Sequence, residues 1–324
     1  MIKKNLPKII VILGPTASGK TDLGLALAKK FNGEIISADS RQVYKQMNIG
    51  TAKPAGEWDK KNTAYIVDGV AHYMMDIIDP DKDFSLADYK VAAVKSIADI
   101  LGRNKLPVVV GGTGLYIQAL VENLDIPKAE PNKKLREDLE KKTLPELVTM
   151  LTEIDPASAK KIDLKNPRRV LRALEVFLQT GKSFFAQRTK SDPAYRALQI
   201  GIDLPREELY ERINTRVDKQ IEDGLTEETK KLASKYGWSL PSMSGIGYKQ
   251  MGLYLRGEAS LDEAVNILKQ DTRRYAKRQM TWFKRDKSIF WIKNTNLALA
   301  EKKVKDFLSR HGGTPPHGGG RIPQ

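Results

Sequence analysis

The 324-residue chain contains no cysteine. That excludes disulfide staples and thiolate-bound zinc or iron–sulfur sites. Histidine is nearly as scarce, at positions 72, 311 and 317, and residues so spaced offer no obvious metal cluster. Long apolar runs are missing as well. The longest, 9–13 and 108–110, are of strand length, far below the roughly 18 residues of a membrane span. The opening MIKKNLPK is too short before the first apolar run to be a signal peptide. A cytoplasmic protein without a membrane segment is therefore expected. At 40% hydrophobic and 29% charged, the composition is that of an ordinary globular chain, not a disordered one. A chain of this length buries a large core and should form one large domain with a smaller one.

What is abundant is positive charge. Lys and Arg number 55 against 40 Asp and Glu, a formal net charge of +15. The excess is uneven: residues 1–125 carry +2 and 201–269 carry −2, whereas 126–200 carry +6 and 270–311 carry +8. Two basic regions on a near-neutral body suit an enzyme that binds a polyanion. A solubilising, lysine-rich surface is the plainer alternative.

The opening reads as α/β. Residues 8–14, KIIVILG, form a β-branched apolar run closed by glycine, and a helical pattern follows over 19–31. Further strands are predicted at 34–39, 106–113 and 198–203, with a late one at 290–292. A helix over 85–101 carries Ser85 and Asp88 as a capping-box pair. Strands alternating with helices imply a doubly wound parallel sheet with helices on both faces, in which ligands sit at the carboxyl ends of strands. Gly14, Asp39 and Thr113 all fall at such ends. Between 126 and 196 the strand signals vanish, and charged helical segments are punctuated by Asp155-Pro156, Asn166-Pro167 and Thr180-Gly181. This stretch is read as an all-helical insertion between core parts 1–125 and 197–311. The Gly/Pro-rich tail 312–324 is expected to be disordered.

Gly14-Pro15-Thr16-Ala17-Ser18-Gly19-Lys20-Thr21 satisfies every position of the G-x-x-x-x-G-K-[ST] phosphate loop, between a predicted strand and a predicted helix. Its glycines let backbone N–H groups and the helix N-terminus face an anion. Lys20 adds a positive charge at the outer phosphate, and the Thr21 hydroxyl is the candidate ligand for magnesium. The motif specifies a diphosphate-like group with Mg2+, but not the molecule that carries it.

Ser37-Ala38-Asp39-Ser40-Arg41-Gln42-Val43-Tyr44 and Asn48-Ile49-Gly50-Thr51-Ala52-Lys53-Pro54 come next. Further on stand Gly111-Gly112-Thr113-Gly114-Leu115-Tyr116 and Asn166-Pro167-Arg168-Arg169-Val170-Leu171-Arg172-Ala173-Leu174-Glu175. Ser244-Gly245-Ile246-Gly247-Tyr248-Lys249-Gln250 and Lys277-Arg278-Gln279-Met280-Thr281-Trp282-Phe283-Lys284 complete the series. With the phosphate loop, these segments in this order resemble the tRNA dimethylallyltransferase family over residues 8–295. The resemblance implies prenyl transfer from dimethylallyl diphosphate to N6 of the adenosine 3′ of the anticodon, with tRNA bound through its anticodon stem-loop by a monomeric enzyme. It departs from the family in two respects: the Gly/Pro tail has no assigned role, and the cysteine-bearing zinc module of some eukaryotic relatives is absent.

Residue chemistry can be argued beside that resemblance. An exocyclic adenine amine is a weak nucleophile, and a carboxylate can take its proton as it attacks the prenyl carbon. Asp39, at a strand end beside the phosphate loop, is the candidate base; a magnesium ligand or helix cap is the alternative. Lys20 and the loop amides would take up the charge of the departing pyrophosphate. The resemblance implies that Arg216 also grips the diphosphate, although Arg212 and Arg216 read alone suit a solvated helix face. The Thr113 hydroxyl could reach the diphosphate or the target amine, or merely close a strand-end turn.

Two basic helices complete the expectation. Arg168, Arg169 and Arg172 cluster off an apolar stripe that includes Val170 and Leu171, and Arg273, Lys277, Thr281 and Lys284 share a face of a later helix. Both match tRNA-contacting segments of the family. The resemblance extends the contact set to Asp39, Ser40, Arg41, Gln42 and Arg136, to Ser244, Gly245, Ile246, Gly247, Tyr248 and Lys249, and to Arg278, Gln279, Met280, Trp282 and Phe283. Arg41 and Gln42 stand next to the proposed base, and a glutamine amide can pair with the adenine edge of an extruded base. The rivals are a P-loop kinase that uses ATP and a non-catalytic RNA-binding module with an ATP switch.

Overall fold

The computed structural model describes residues 6–59, 63–126, 132–187 and 189–310 (backbone only at 133). The tail expected to be disordered lies outside this range. The strands are β1 (Lys8–Leu13), β2 (Gly33–Ala38), β3 (Glu57–Asp59), β4 (Ala64–Val67), β5 (Val70–Tyr73), β6 (Leu106–Gly111), β7 (Arg196–Asp203) and β8 (Phe290–Lys293). They form one eight-stranded sheet in the order β3-β4-β5-β2-β6-β1-β7-β8. From β5 to β8 every pairing is parallel. β4 runs antiparallel to both β3 and β5, so one edge departs from the all-parallel expectation. The β4–β5 turn places Asp68 and Gly69 at φ 48° and 79°, the paired positive φ of a two-residue hairpin.

Residues 9–13 of β1 are fully buried, as an unbroken β-branched run flanked by parallel neighbours on both sides demands. One face of the sheet packs on α1 (Lys20–Lys30) and the other on α2 (Leu86–Gly102) and α3 (Gly114–Val121). The α2 start carries the reciprocal capping box between Ser85 and Asp88.

The chain divides into two compact units. The smaller, residues 122–193, holds α4 (Lys133–Glu140), α5 (Leu144–Ile154), α6 (Pro156–Ala159) and α7 (Pro167–Thr180) around their own apolar core. In the larger unit, β7 is followed by α8 (Arg206–Glu222), α9 (Leu225–Tyr236), α10 (Tyr248–Leu255), α11 (Leu261–Phe283) and α12 (Leu297–Ser309). Helices α8 to α11 enclose a further core with Val43, Tyr44 and Met47, which fixes the segment after β2 against the helical layer. Among the described residues no helix is long and apolar enough to cross a membrane.

Candidate active site

The phosphate loop leaves β1 and enters α1 at Lys20. Ala17 and Gly19 adopt left-handed φ values of 61° and 83°, and no side chain caps the first turn of α1. Its amide donors therefore remain available to an anion. A Cβ on Gly19 would approach Thr295 Cγ2 to 2.8 Å, so glycine is required for both shape and space. Ser18 Oγ is buried and has no hydrogen-bond partner among the described residues, an orphaned polar atom inside the loop. Lys20 Nζ donates to its own loop carbonyl at Pro15, 3.1 Å away. Burial draws the Lys20 pKa down to about 8; the Asp39 charge opposes the shift and the Arg216 charge adds to it.

Asp39 lies just past β2. Its Oδ1 accepts the backbone N–H groups of Arg41 at 2.8 Å and Gln42 at 3.4 Å, an Asx-type turn that fixes the carboxylate. Its Oδ2 accepts no hydrogen bond among the described residues. Thr113, just past β6, accepts the Ser40 N–H at 3.1 Å and donates its own N–H to Ala38 O at 3.0 Å. Arg216 on α8 reaches across to Thr16, Nη1 to Oγ1 at 3.3 Å. Burial lowers its pKa against the opposing pull of Asp39.

These groups share a passage. A cavity of about 70 Å³ is lined by Lys20, Thr21, Asp39, Thr51, Arg216, Tyr275 and Gln279, among others. It adjoins one of about 310 Å³ through Thr16, Asp39, Thr51, Arg216 and Tyr275. On the other side it adjoins an open one of about 680 Å³ through Lys20, Thr21, Ala52 and Arg216. Asp39 thus stands between two cations on the phosphate side and the 310 Å³ cavity, the larger of the two that it lines, whose lining includes Ser244, Gly245, Ile246 and Tyr248.

The described residues hold no group of three or more His, Asp or Glu that could cage a metal. A magnesium ion here would use the Thr21 hydroxyl and complete its shell from diphosphate oxygens and water, as Mg2+ commonly does. The orphaned Ser18 hydroxyl and the uncapped α1 amides fit such an anion–metal pair.

Several of the residues expected to contact RNA are buried within the protein. Val170 is completely inaccessible, Tyr248 and Phe283 nearly so, and Gly245, Gly247 and Gln279 are buried. Gln279, also expected to meet RNA, acts as a brace within the fold. Its Oε1 accepts the Thr16 N–H and its Nε2 donates to Gly112 O, each at 2.9 Å. It thereby ties the phosphate loop to the strand end that carries Thr113. The Gln42 amide, expected on an adenine edge, donates to Thr51 O and Ala52 O at 3.3 Å. Arg41 donates to Pro241 O at 3.0 Å.

In the smaller unit, Arg136 and Arg172 both bond the fully buried Glu175, Arg136 at 2.8 and 3.0 Å and Arg172 at 2.6 Å. One carboxylate so holds two cations, offsets one of their two charges, and braces α4 against α7. Burial alone would raise the Glu175 pKa, but these arginines and the Asn132 N–H hold it below the usual carboxylate range. Arg168, Arg169, Ser244, Lys249, Lys277, Arg278, Thr281 and Lys284 are exposed, while Ser40, Leu171, Ile246, Met280 and Trp282 are half-buried. Tyr275 was not anticipated in the site. It lines both the 70 Å³ and the 310 Å³ cavities; burial and the Asp39 charge push its pKa up to about 12.

A family described as IPP transferase matches residues 42–286, a stretch that begins after the phosphate loop. The chain is 47% identical over 310 residues to a tRNA dimethylallyltransferase of Acetivibrio thermocellus, covering 93% of this chain and 96% of that protein. Among solved structures it is similar to a tRNA isopentenylpyrophosphate transferase of Bacillus halodurans, with a TM-score of 0.67 and 38% identity over 93% of this chain and 95% of that one. It is also similar to a eukaryotic dimethylallyltransferase captured acting on tRNA, with a TM-score of 0.78 and 29% identity over 96% of this chain and 82% of that one.

Proposed function

Because the chain belongs to the IPP transferase family of tRNA dimethylallyltransferases, we propose that it transfers a dimethylallyl group from dimethylallyl diphosphate to N6 of the adenosine 3′ of the anticodon in tRNA. The observation that carries this reading is the position of Asp39, which lines both the inner phosphate-side cavity and the larger one beyond it. The adenosine amine enters from the larger side and attacks the prenyl C1. The C1–O bond breaks, its electron pair leaves with pyrophosphate, and the N6 proton passes to the free Oδ2 of Asp39. Lys20, the loop amides and Arg216 stabilise the pyrophosphate charge as it develops. Magnesium, held by Thr21, would add further positive charge there. Thr113, hydrogen-bonded to Ser40, orients the segment that bears the base.

The exposed cations Arg168 and Arg169 on the helical insert, Lys277 and Arg278 on α11, and Lys284 at its C-terminal cap are assigned to the tRNA backbone. The insert is thus a tRNA-binding domain, and the working form is a cytoplasmic monomer. A kinase reading is not favoured, since prenyl transfer requires no phosphoryl donor. The test is mass spectrometry of tRNA after incubation with purified enzyme, dimethylallyl diphosphate and Mg2+ in ATP-free buffer. A mass gain of one prenyl group on that adenosine is expected, together with a loss of transfer on the order of 10²-fold in Asp39→Asn. Product that appears only when ATP is supplied would return the lead to the kinase.

A further inference from the structure

The wall facing Asp39 includes a segment without regular structure, residues 48–53, and a single carboxylate holds its start. Glu228, in the first turn of α9, accepts three successive backbone N–H groups: Asn48 at 3.0 Å, Ile49 at 2.9 Å and Gly50 at 3.1 Å. A fourth donor, the Tyr248 hydroxyl at the start of α10, reaches it at 2.7 Å. Around this point the packing leaves no slack. A Cβ on Gly50 would lie 2.4 Å from the Tyr248 ring. The next peptide is fixed as well, because Gln220 on α8 donates to Ile49 O at 2.5 Å.

What the carboxylate holds is the floor of the reaction passage. Gly50 and Thr51 line the larger cavity with Asp39, and Thr51 and Ala52 line the inner one. The Gln42 amide hangs from Thr51 O and Ala52 O, and Gln42 in turn gives its N–H to Asp39 Oδ1. A chain of hydrogen bonds therefore runs from Glu228 through residues 48–52 and Gln42 to the candidate base.

We infer that Glu228, seconded by the Tyr248 hydroxyl, is a positioning residue that sets the acceptor side of the passage and so the approach of the adenosine to Asp39. It touches no reacting atom. A charged acceptor is the group that can satisfy three amides and a phenol together, because a carboxylate offers about four lone-pair sites and no donor. An amide in its place would turn one oxygen into a donor aimed at other donors.

The inference rests on the transfer reading above. It is tested by steady-state kinetics, thermal melting and amide hydrogen exchange on the full chain and on Glu228→Gln and Tyr248→Phe. In Glu228→Gln, kcat/KM for tRNA should fall roughly tenfold or more, while KM for the prenyl donor stays within about twofold. Tyr248→Phe keeps three of the four bonds and should show a smaller loss of the same selective kind. Exchange of the Asn48, Ile49 and Gly50 amides should quicken in Glu228→Gln under conditions where the phosphate-loop amides do not change. Equal losses for both substrates with a lowered melting temperature would reduce Glu228 to a general stabiliser and overturn the inference. Unchanged tRNA kinetics, or unchanged exchange over 48–50, would overturn it too. Failure of the wild-type chain to transfer would defeat the functional reading instead, and the exchange measurement would still decide whether the clamp exists.

Discussion

Burial holds the Lys20 ammonium at a pKa of about 8, and this makes donor capture dependent on pH. In the free enzyme about nine-tenths of the molecules carry the Lys20 charge at pH 7 and about one-tenth at pH 9. If the charged form alone captures the diphosphate productively, kcat/KM for the prenyl donor falls close to tenfold across that interval. The sign follows from the direction of the shift: a lysine with a depressed pKa loses its proton, and with it the anion contact, as pH rises through about 8. Bound diphosphate favours the ammonium, so Lys20 regains basicity in the complex. At saturating donor the limb should therefore move to higher pH, because kcat reports the groups of the complex and kcat/KM those of the free enzyme. The assay follows prenyl incorporation from pH 6.5 to 10 at limiting and saturating donor, with tRNA held in excess. Lys20→Arg serves as control, because a guanidinium does not titrate in this range. Its activity should be lower but its profile flat. A wild-type kcat/KM that stays level to pH 10, or a limb at pH 8 that survives in Lys20→Arg, would refute the assignment.

Other expectations follow from particular contacts. Gln279→Leu leaves the Thr16 N–H and the Gly112 carbonyl unpaired, costing on the order of 2 kcal/mol in chemical denaturation. It should raise the donor KM while leaving tRNA affinity alone; the opposite pattern would return Gln279 to the RNA surface. Glu175→Gln should destabilise the smaller unit by on the order of 3 kcal/mol, reduced because both arginines keep about a third of their side-chain surface. Since the Glu175 pKa is lowered in the fold, its contribution is present above the unfolded carboxyl pKa and fades as pH falls through the folded one. A Glu175→Gln variant should thus lose the acid limb that this residue gives the wild type, and identical acid profiles would count against the network. Replacing the exposed pair Arg168 and Arg169 with alanine should reduce the slope of log tRNA affinity against log salt by up to about 2. An unchanged slope would leave both as solvated charge.

Much of the fold is legible in the sequence because its central strands are short, unbroken apolar runs buried on both faces. β1, β2, β6 and β7 lie within about two residues of their expected bounds, and the capping box at Ser85 and Asp88 forms as read. The edge hairpin is the element that escaped. β4 and β5 span only four residues each, with two buried positions apiece, so their periodicity is too brief to register. The signal available was the Asp68-Gly69 pair between two apolar segments, which the structure uses with both φ values positive. Its consequence is a mixed sheet with an antiparallel edge.

The site divides along a different line. Gly14, Lys20, Asp39 and Thr113 could be placed together from the sequence because strand ends in a parallel sheet converge, which is a local rule. Gln279, Tyr275 and Glu228 reach that place from helices well over a hundred residues further along the chain, and no spacing rule joins them to it. The same long-range packing explains why matched motifs overstate contact. In Lys277–Lys284 the exposed members Lys277, Arg278, Thr281 and Lys284 are free to meet a polyanion, whereas Gln279 and Phe283 turn inward on the same helix. On the proposed reading this helix carries RNA contact on its exposed side and support of the phosphate loop on its buried side, so one motif contains both. Burial separates them. Polar side chains turned away from solvent are for the most part hydrogen-bonded, and following the partners of the buried Gln279 and the half-buried Gln42 and Glu228 leads each time to the backbone around Asp39 and the phosphate loop.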